Sequence, residues 1–337
     1  RAESAADVAA CPEGEKGECY YGDYLQVARL LSCQRPASAK AGAEAHDELL
    51  FITTHQAYEL WFKQILHELW SVHRLFSAEE VSEAAHFAVV QRLTRVAKIL
   101  RLLLSQFEVL ETMTPMDFLS FREHLKGASG FQSLQFRTIE VLLGVPLNAE
   151  KEMKLESRFD RPDHEDLKHA QGCLSLFQLV ERWLERTPGL GAGKQPEAAE
   201  GSRLDFWGHF QDSVQQELRA EREAAESTEG SADMRENLLR ECADNEANFA
   251  SIFCPHQHGK LQREGLRRLS HSGFRGAMLI SLYRDEPRFH TPYQIISLLM
   301  DIDSLIAKWR HAHVMMVHRM IGCKVGTGGA SGYAYLR

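Results

Sequence analysis

The sequence has no apolar run approaching the roughly 18 residues that a membrane-spanning helix needs, so no bilayer-crossing segment is expected. It has no C-x-x-C pair: Cys11, Cys19, Cys33, Cys173, Cys242, Cys254 and Cys323 are odd in number and scattered. That pattern excludes a disulfide framework and covalent haem attachment through C-x-x-C-H, and it fits reduced thiols in a cytoplasmic protein. There is no excess of positive charge. With 39 Lys and Arg against 47 Asp and Glu the net charge is -8, which argues against a nucleic-acid surface or a polybasic membrane contact. Residues 1–18, ending PEGEKGE, lack the charged-then-apolar order of a signal peptide and are expected to be disordered. Sustained apolar–polar alternation is missing as well, which leaves nothing to build a sheet from.

What is present is helical periodicity. The 337 residues are 44% apolar, enough for a sizeable core. Segments near 46–76, 83–112, 115–126, 132–143, 164–186, 204–224, 232–253, 273–284 and 292–321 repeat apolar residues at three and four. The spacing predicts an all-α fold: residues 19–337 form one helical domain, within which 187–255 make a peripheral linker and a solvated, highly charged helical hairpin.

Two of these helices carry a histidine on an apolar stripe. Phe51, His55, Tyr58, Phe62, Ile65 and Leu69 share one face, and Ile306, Trp309, His313, Met316 and Met320 share another. On spacing alone the ordinary reading, a core histidine bonded to a carbonyl, is favoured for each. The alternative is that an imidazole in a wall of Trp, Met and Ile serves as the proximal ligand of a haem iron. His311 and His318 lie on a different face from His313.

Three further segments carry chemistry. In PMDFLSFREHLKGASGFQSLQFR, Phe118 and Arg122 lie four apart on a short helix that runs into a Gly/Ser turn. A guanidinium at such a junction suits a carboxylate, or equally an ordinary surface ion pair. KVGTGGASGY fails as a nucleotide fingerprint, because Ser331 replaces the third glycine and a helix precedes it. A flexible lid carrying the Thr327 hydroxyl fits better, beside the alternative of a plain terminus. CPHQH, residues 254–258, has zinc-like residue types without a second half-site, so a polar loop is expected.

The stretches HDELLFITTHQAYELWFKQIL, ETMTPMDFLSFREHLKGASGFQSLQFRTIE, EPRF and LLMDIDSLIAKWRHAHVMMVHRMIGCKVGTGGASGYAYLR together resemble the tryptophan 2,3-dioxygenase family, from about Tyr20 to Arg337. The resemblance implies an all-helical homotetramer that uses haem b and dioxygen to open the indole 2,3 bond of L-tryptophan, giving N-formylkynurenine. It implies that His313 is the proximal iron ligand, with Trp309 beside it and Ser129 and Gly130 next to the haem. It also implies that His55 hydrogen-bonds the indole N–H, Phe51 and Phe118 line the pocket, and Arg122 clasps the substrate carboxylate. Thr327 then contacts the ammonium and carboxylate, and Tyr21 and Tyr24 reach a neighbouring subunit's site. Two departures stand out: Lys126-Gly127 where the family has Ser-Pro, and Ala330 where a serine is common. The same pocket is also compatible with mono-oxygenation or peroxide-driven hydroxylation of a substituted indole, or with a haem sensor without turnover. The presence of His55, Arg122, His313 and Thr327 together favours the dioxygenase.

Overall fold

The structure, a computed structural model, describes residues 20–125, 132–146, 165–187, 206–228 and 230–322. Every regular element among them is helical. Three short helices come first, α1 (Tyr21–Tyr24), α2 (Val27–Leu31) and α3 (Ala37–Lys40). Two long ones follow, α4 (Glu48–Phe76) and α5 (Glu83–Leu110), then α6 (Pro115–Arg122) with a 3-10 turn, Glu123–Leu125. Next are α7 (Leu134–Leu143), α8 (Glu165–Gly172) and α9 (Leu176–Glu185). The charged region forms α10 (Phe206–Ser227) and α11 (Ala232–Phe253). The chain then runs through α12 (Pro255–Arg263), α13 (His271–Leu282) and the longest helix, α14 (Pro287–Ile321).

Local chemistry sets most of these ends. Thr114 caps α6, accepting from the Asp117 N–H while the Asp117 carboxylate accepts from the Thr114 N–H, and Pro115 occupies the first turn. Ser175 and Gln178 form the same reciprocal box at α9. That box explains why the single helix expected over 164–186 is two, separated at Cys173–Ser175.

Two other expectations need correction. The CPHQH loop is helical: Pro255 opens α12, and His258 is fully buried, with its Nε2 donating to the Leu269 carbonyl at 2.9 Å. The last helix begins at Pro287 rather than 292. Pro292 lies within its first two turns, where the missing N–H removes a single intrahelical bond and the chain continues.

The described residues fall into two compact units, one within 1–61, 101–133 and 307–337, the other within 62–100 and 134–306. In the first, Tyr58, Leu103, Phe107, Leu110, Met113, Phe121, Trp309, Met316 and Met320 are buried. Glu48, only 1% exposed, accepts from the Ala37 and Ser38 amides at 2.7 and 2.9 Å. It thereby satisfies the orphan donors at the start of α3 and ties that segment to the start of α4. Gln56 adds two links to the same segment, accepting from Gln34 and donating to the Cys33 carbonyl at 3.2 Å.

In the second unit Phe62, Ile65, Leu69, Val72 and Phe76 of α4 are buried, as are Val89, Leu93 and Val96 of α5 and Ile295 and Ile302 of α14. Helices α9 and α13 pack so closely that a Cβ on Gly276 would stand 2.1 Å from the Leu184 carbonyl oxygen. The Glu181 carboxylate also accepts from the Ser270 amide, at 2.6 Å. Helices α10 and α11 lie against each other with most of their side chains exposed. Arg222 pairs there with Glu226 at 3.4 Å and Glu246 at 3.3 Å.

Candidate functional site

The first unit holds Phe51, His55, Phe118, Arg122, Trp309 and His313 of the residues on which the chemistry was expected. On α4 the apolar stripe changes character along its length. Tyr58 is buried, whereas His55 and Phe51, one and two turns earlier, are half-buried. The two rings lie against each other, centroids 4.1 Å apart and planes tilted by 36°. Phe118 of α6, also half-buried, lies 5.8 Å from the Phe51 ring. Phe121 closes the group at 5.6 Å from Phe51 and 5.4 Å from Phe118, and is itself fully buried. Edge and tilted contacts of this kind hold aromatic walls in defined orientations. Arg122, the last residue of α6, is half-buried at the end of the same short helix.

His55 has a definite protonation state. Burial pushes its imidazole below the usual histidine value, an effect larger than the opposing influences of the Phe51 carbonyl and Glu59. The ring is therefore neutral at pH 7. Its Nδ1 lies 2.7 Å from the Phe51 carbonyl oxygen, and because a carbonyl only accepts, Nδ1 carries the hydrogen. Nε2 is left with its lone pair. His55 thus presents a hydrogen-bond acceptor on the aromatic side of α4, and a weak base at that.

On α14, Trp309, Met316 and Met320 are buried, while His313 is half-buried beside Trp309, ring centroids 5.3 Å apart. His311 and His318 are exposed, as their different face requires. Among the described residues no group of three or more His, Cys, Asp or Glu is arranged to hold a metal ion. A lone imidazole such as His313 suits a metal that arrives with most of its donors already attached, and haem iron is such a metal. The aromatic and thioether neighbours of His313 also match the apolar surface of a porphyrin.

Tyr21 and Tyr24 lie on α1 and are exposed, 77% and 75%. Ser129, Gly130, Thr327, Lys126-Gly127 and Ala330 lie outside the described residues, as do residues 1–18. Sequence periodicity did not single out Phe121 or Glu48. A Phe three residues after Phe118 was the available signal for the first. For the second there was none, because the Glu48 partners lie on another helix.

Fold and site together define an all-helical protein that presents an aromatic wall with one acceptor imidazole on α4 and a second imidazole on the apolar face of α14. The family model described as tryptophan 2,3-dioxygenase matches residues 6–337, starting earlier than Tyr20. Tryptophan 2,3-dioxygenase of Anopheles gambiae is 46% identical over 331 residues, 96% of this chain and 81% of that protein. Tryptophan 2,3-dioxygenase A of Danio rerio and tryptophan 2,3-dioxygenase of Xenopus laevis are each 46% identical over 329 residues, 96% of this chain and 79% of theirs. The chain belongs to the tryptophan 2,3-dioxygenase family. No helix among the described residues is long and apolar enough to cross a membrane.

Proposed function

We propose that the protein is a haem-dependent dioxygenase that cleaves the indole 2,3 bond of L-tryptophan with dioxygen to give N-formylkynurenine, the opening step of tryptophan degradation. Family membership across residues 6–337 carries this reading. The neutral acceptor imidazole of His55 among aromatic rings supports it. Neither mono-oxygenation nor a sensor without turnover has an observation in its favour.

His313 would hold the haem b iron, with Trp309 alongside and Ser129 and Gly130 beside the macrocycle. Bound ferrous haem supplies the one-electron chemistry that lets ground-state dioxygen react with a closed-shell indole. The rest falls to the chain. Phe51 and Phe118 receive the indole face by dispersion and ring stacking. Nε2 of His55 accepts from the indole N–H and so fixes which edge of the ring is presented. Accepting from that N–H pushes electron density towards the 2,3 bond, while the basicity lowered by burial leaves the proton on the indole nitrogen. Arg122 binds the substrate carboxylate, as a guanidinium does with two parallel N–H donors. Thr327 contacts the ammonium and carboxylate, and its loop excludes water from the closed site.

The same reading makes the protein a homotetramer with Tyr21 and Tyr24 reaching a neighbouring subunit's site. The exposure of both tyrosines supports this, since large aromatic side chains on a free surface mark contact regions. A cytoplasmic location is supported by the free thiols of Cys33, Cys173, Cys242 and Cys254.

The test is to reduce the haem-loaded protein without oxygen, add L-tryptophan and isotopically labelled dioxygen, and weigh the product. Formylkynurenine with both labelled atoms is expected. One labelled atom in an intact ring, or no consumption of tryptophan, overturns the reading.

A further inference from the structure

The first helices of the chain have no core of their own. From Tyr20 to Cys33 every side chain is exposed except Val27, which is half-buried, and Ser38 is the first buried residue among those described. Apolar packing therefore does little to hold this arm, and hydrogen bonds take its place. Gln26 turns α1 into α2 with a left-handed backbone, φ 52°, and its side-chain amide donates to the Asp23 carbonyl at 2.6 Å. At the far end of α2 the Gln34 amide nitrogen donates twice, to the Leu30 carbonyl at 3.1 Å and to the Gln56 side-chain oxygen of α4. Gln56 donates in return to the Cys33 carbonyl at 3.2 Å. Nearer the start of α4, the buried Glu48 carboxylate accepts from the Ala37 and Ser38 amides, and Ser38 Oγ accepts from the Ala45 amide at 3.0 Å. The two anchors, Glu48 and Gln56, are eight residues apart on one helix, about 12 Å along its axis. Phe51 and His55 lie between them.

We propose that Gln56 and Glu48 are positioning residues for the neighbouring subunit's pocket: by clamping the arm across α4 at two points they set where Tyr21 and Tyr24 stand. This role deepens the reading above, in which both tyrosines reach a neighbour's site, and rests on it. A single anchor would leave the arm free to swing, whereas two fix its direction. Hydrogen bonds suit that task, because they weaken steeply with distance and angle, while dispersion between apolar surfaces is non-directional. The same two turns of α4 then serve two pockets. Their aromatic side carries Phe51 and His55 for the subunit's own substrate, and their anchors hold the tyrosines offered to the next.

Two variants loaded with haem test it. Gln56→Leu removes both bonds at a half-buried position, and Glu48→Gln leaves one of the two arm amides without an acceptor. Each is expected to raise KM for L-tryptophan about threefold to tenfold, with kcat, haem content and the absorption spectrum close to the parent's. Gly276→Ala, in the second unit, is the control that lowers stability without touching the arm, and its KM should equal the parent's. The deciding sample is a mixed oligomer. It combines Gln56→Leu subunits, whose pockets are intact, with Arg122→Ala subunits, whose anchors are intact and whose pockets lack the carboxylate clasp. Arms supplied by the Arg122→Ala subunits should bring KM in the mixture back towards the parent value. A KM that stays raised means that Gln56 acts on its own subunit's His55, and it overturns the role while leaving the functional reading in place. An unchanged KM in Gln56→Leu overturns it as well, whether or not Glu48→Gln folds. If the unaltered protein sediments as a monomer or consumes no tryptophan, the reading beneath fails and this inference falls with it.

Discussion

Gly276 sits where α13 meets α9, and replacing it by alanine tests whether that contact is as close as described. A Cβ there would stand 2.1 Å from the Leu184 oxygen, 2.9 Å from the Leu184 carbonyl carbon and 3.1 Å from Thr187 Oγ1. Ordinary carbon–oxygen contact begins near about 3.3 Å, so the two helices have to part by roughly 1 Å. The obstacle is backbone, so no side-chain rotation relieves it. Parting loosens Leu179, Val180 and Leu184 on α9 and Leu279 and Ile280 on α13, all buried. Forced expansion of a packed core costs about 1–3 kcal/mol, and this clash belongs at the upper end. Alanine recovers about 1 kcal/mol of helix propensity over glycine. The net expectation is a loss of about 2 kcal/mol, read as a lower urea midpoint at unchanged slope. Gly273→Ala is the control: its Cβ would meet only the Ser270 hydroxyl at 3.1 Å and the Glu181 side chain at 3.4 Å among nearer atoms, both able to shift. That variant should stay within about 0.5 kcal/mol of the parent. Equal midpoints for Gly276→Ala and the parent would refute the close approach of α9 and α13.

His313→Ala should abolish haem retention after gel filtration of the reconstituted protein, and a normal haem content would refute its assignment as ligand. Arg122→Ala should weaken tryptophan binding by about 2–5 kcal/mol if the carboxylate pair is buried on binding; calorimetry or spectral titration giving unchanged affinity would remove that role. Stability should depend on pH in a definite sense. His55, His86 and His271 are all held below the ordinary histidine value of 6.5, chiefly by burial, so on acidification the unfolded chain takes up protons first. Unfolding midpoints should therefore be insensitive to these groups above that value and fall as pH drops through it towards the lower folded-state values. Midpoints that rise between pH 6.5 and about 5 would contradict the neutral, buried state of these rings.

Much of the site was legible because its signals are local. Phe51 and His55 share a face of α4 by spacing, and the i to i-4 bond from His55 Nδ1 to the Phe51 carbonyl needs nothing beyond that helix. Trp309 and His313 share a face of α14 for the same reason. Where the periodic reading failed, a local helix-start signal, a capping box or a first-turn proline, had overridden it. The Ser175 box divided one expected helix, and Pro255 opened another where a loop was expected.

The sequence by itself determined that this chain is helical, which stripes are apolar, where imidazoles interrupt them, and to which family it belongs. These properties follow from periodicities of three and four and from long ordered motifs, both of which are written along the chain. The tertiary structure alone decided that the Tyr58 hydroxyl meets a carbonyl 45 residues away, that Glu48 serves α3, and that Gly276 admits the Leu184 backbone. Each of these depends on groups from different helices arriving at one point in a single register, and a one-dimensional pattern of burial does not encode that direction or distance.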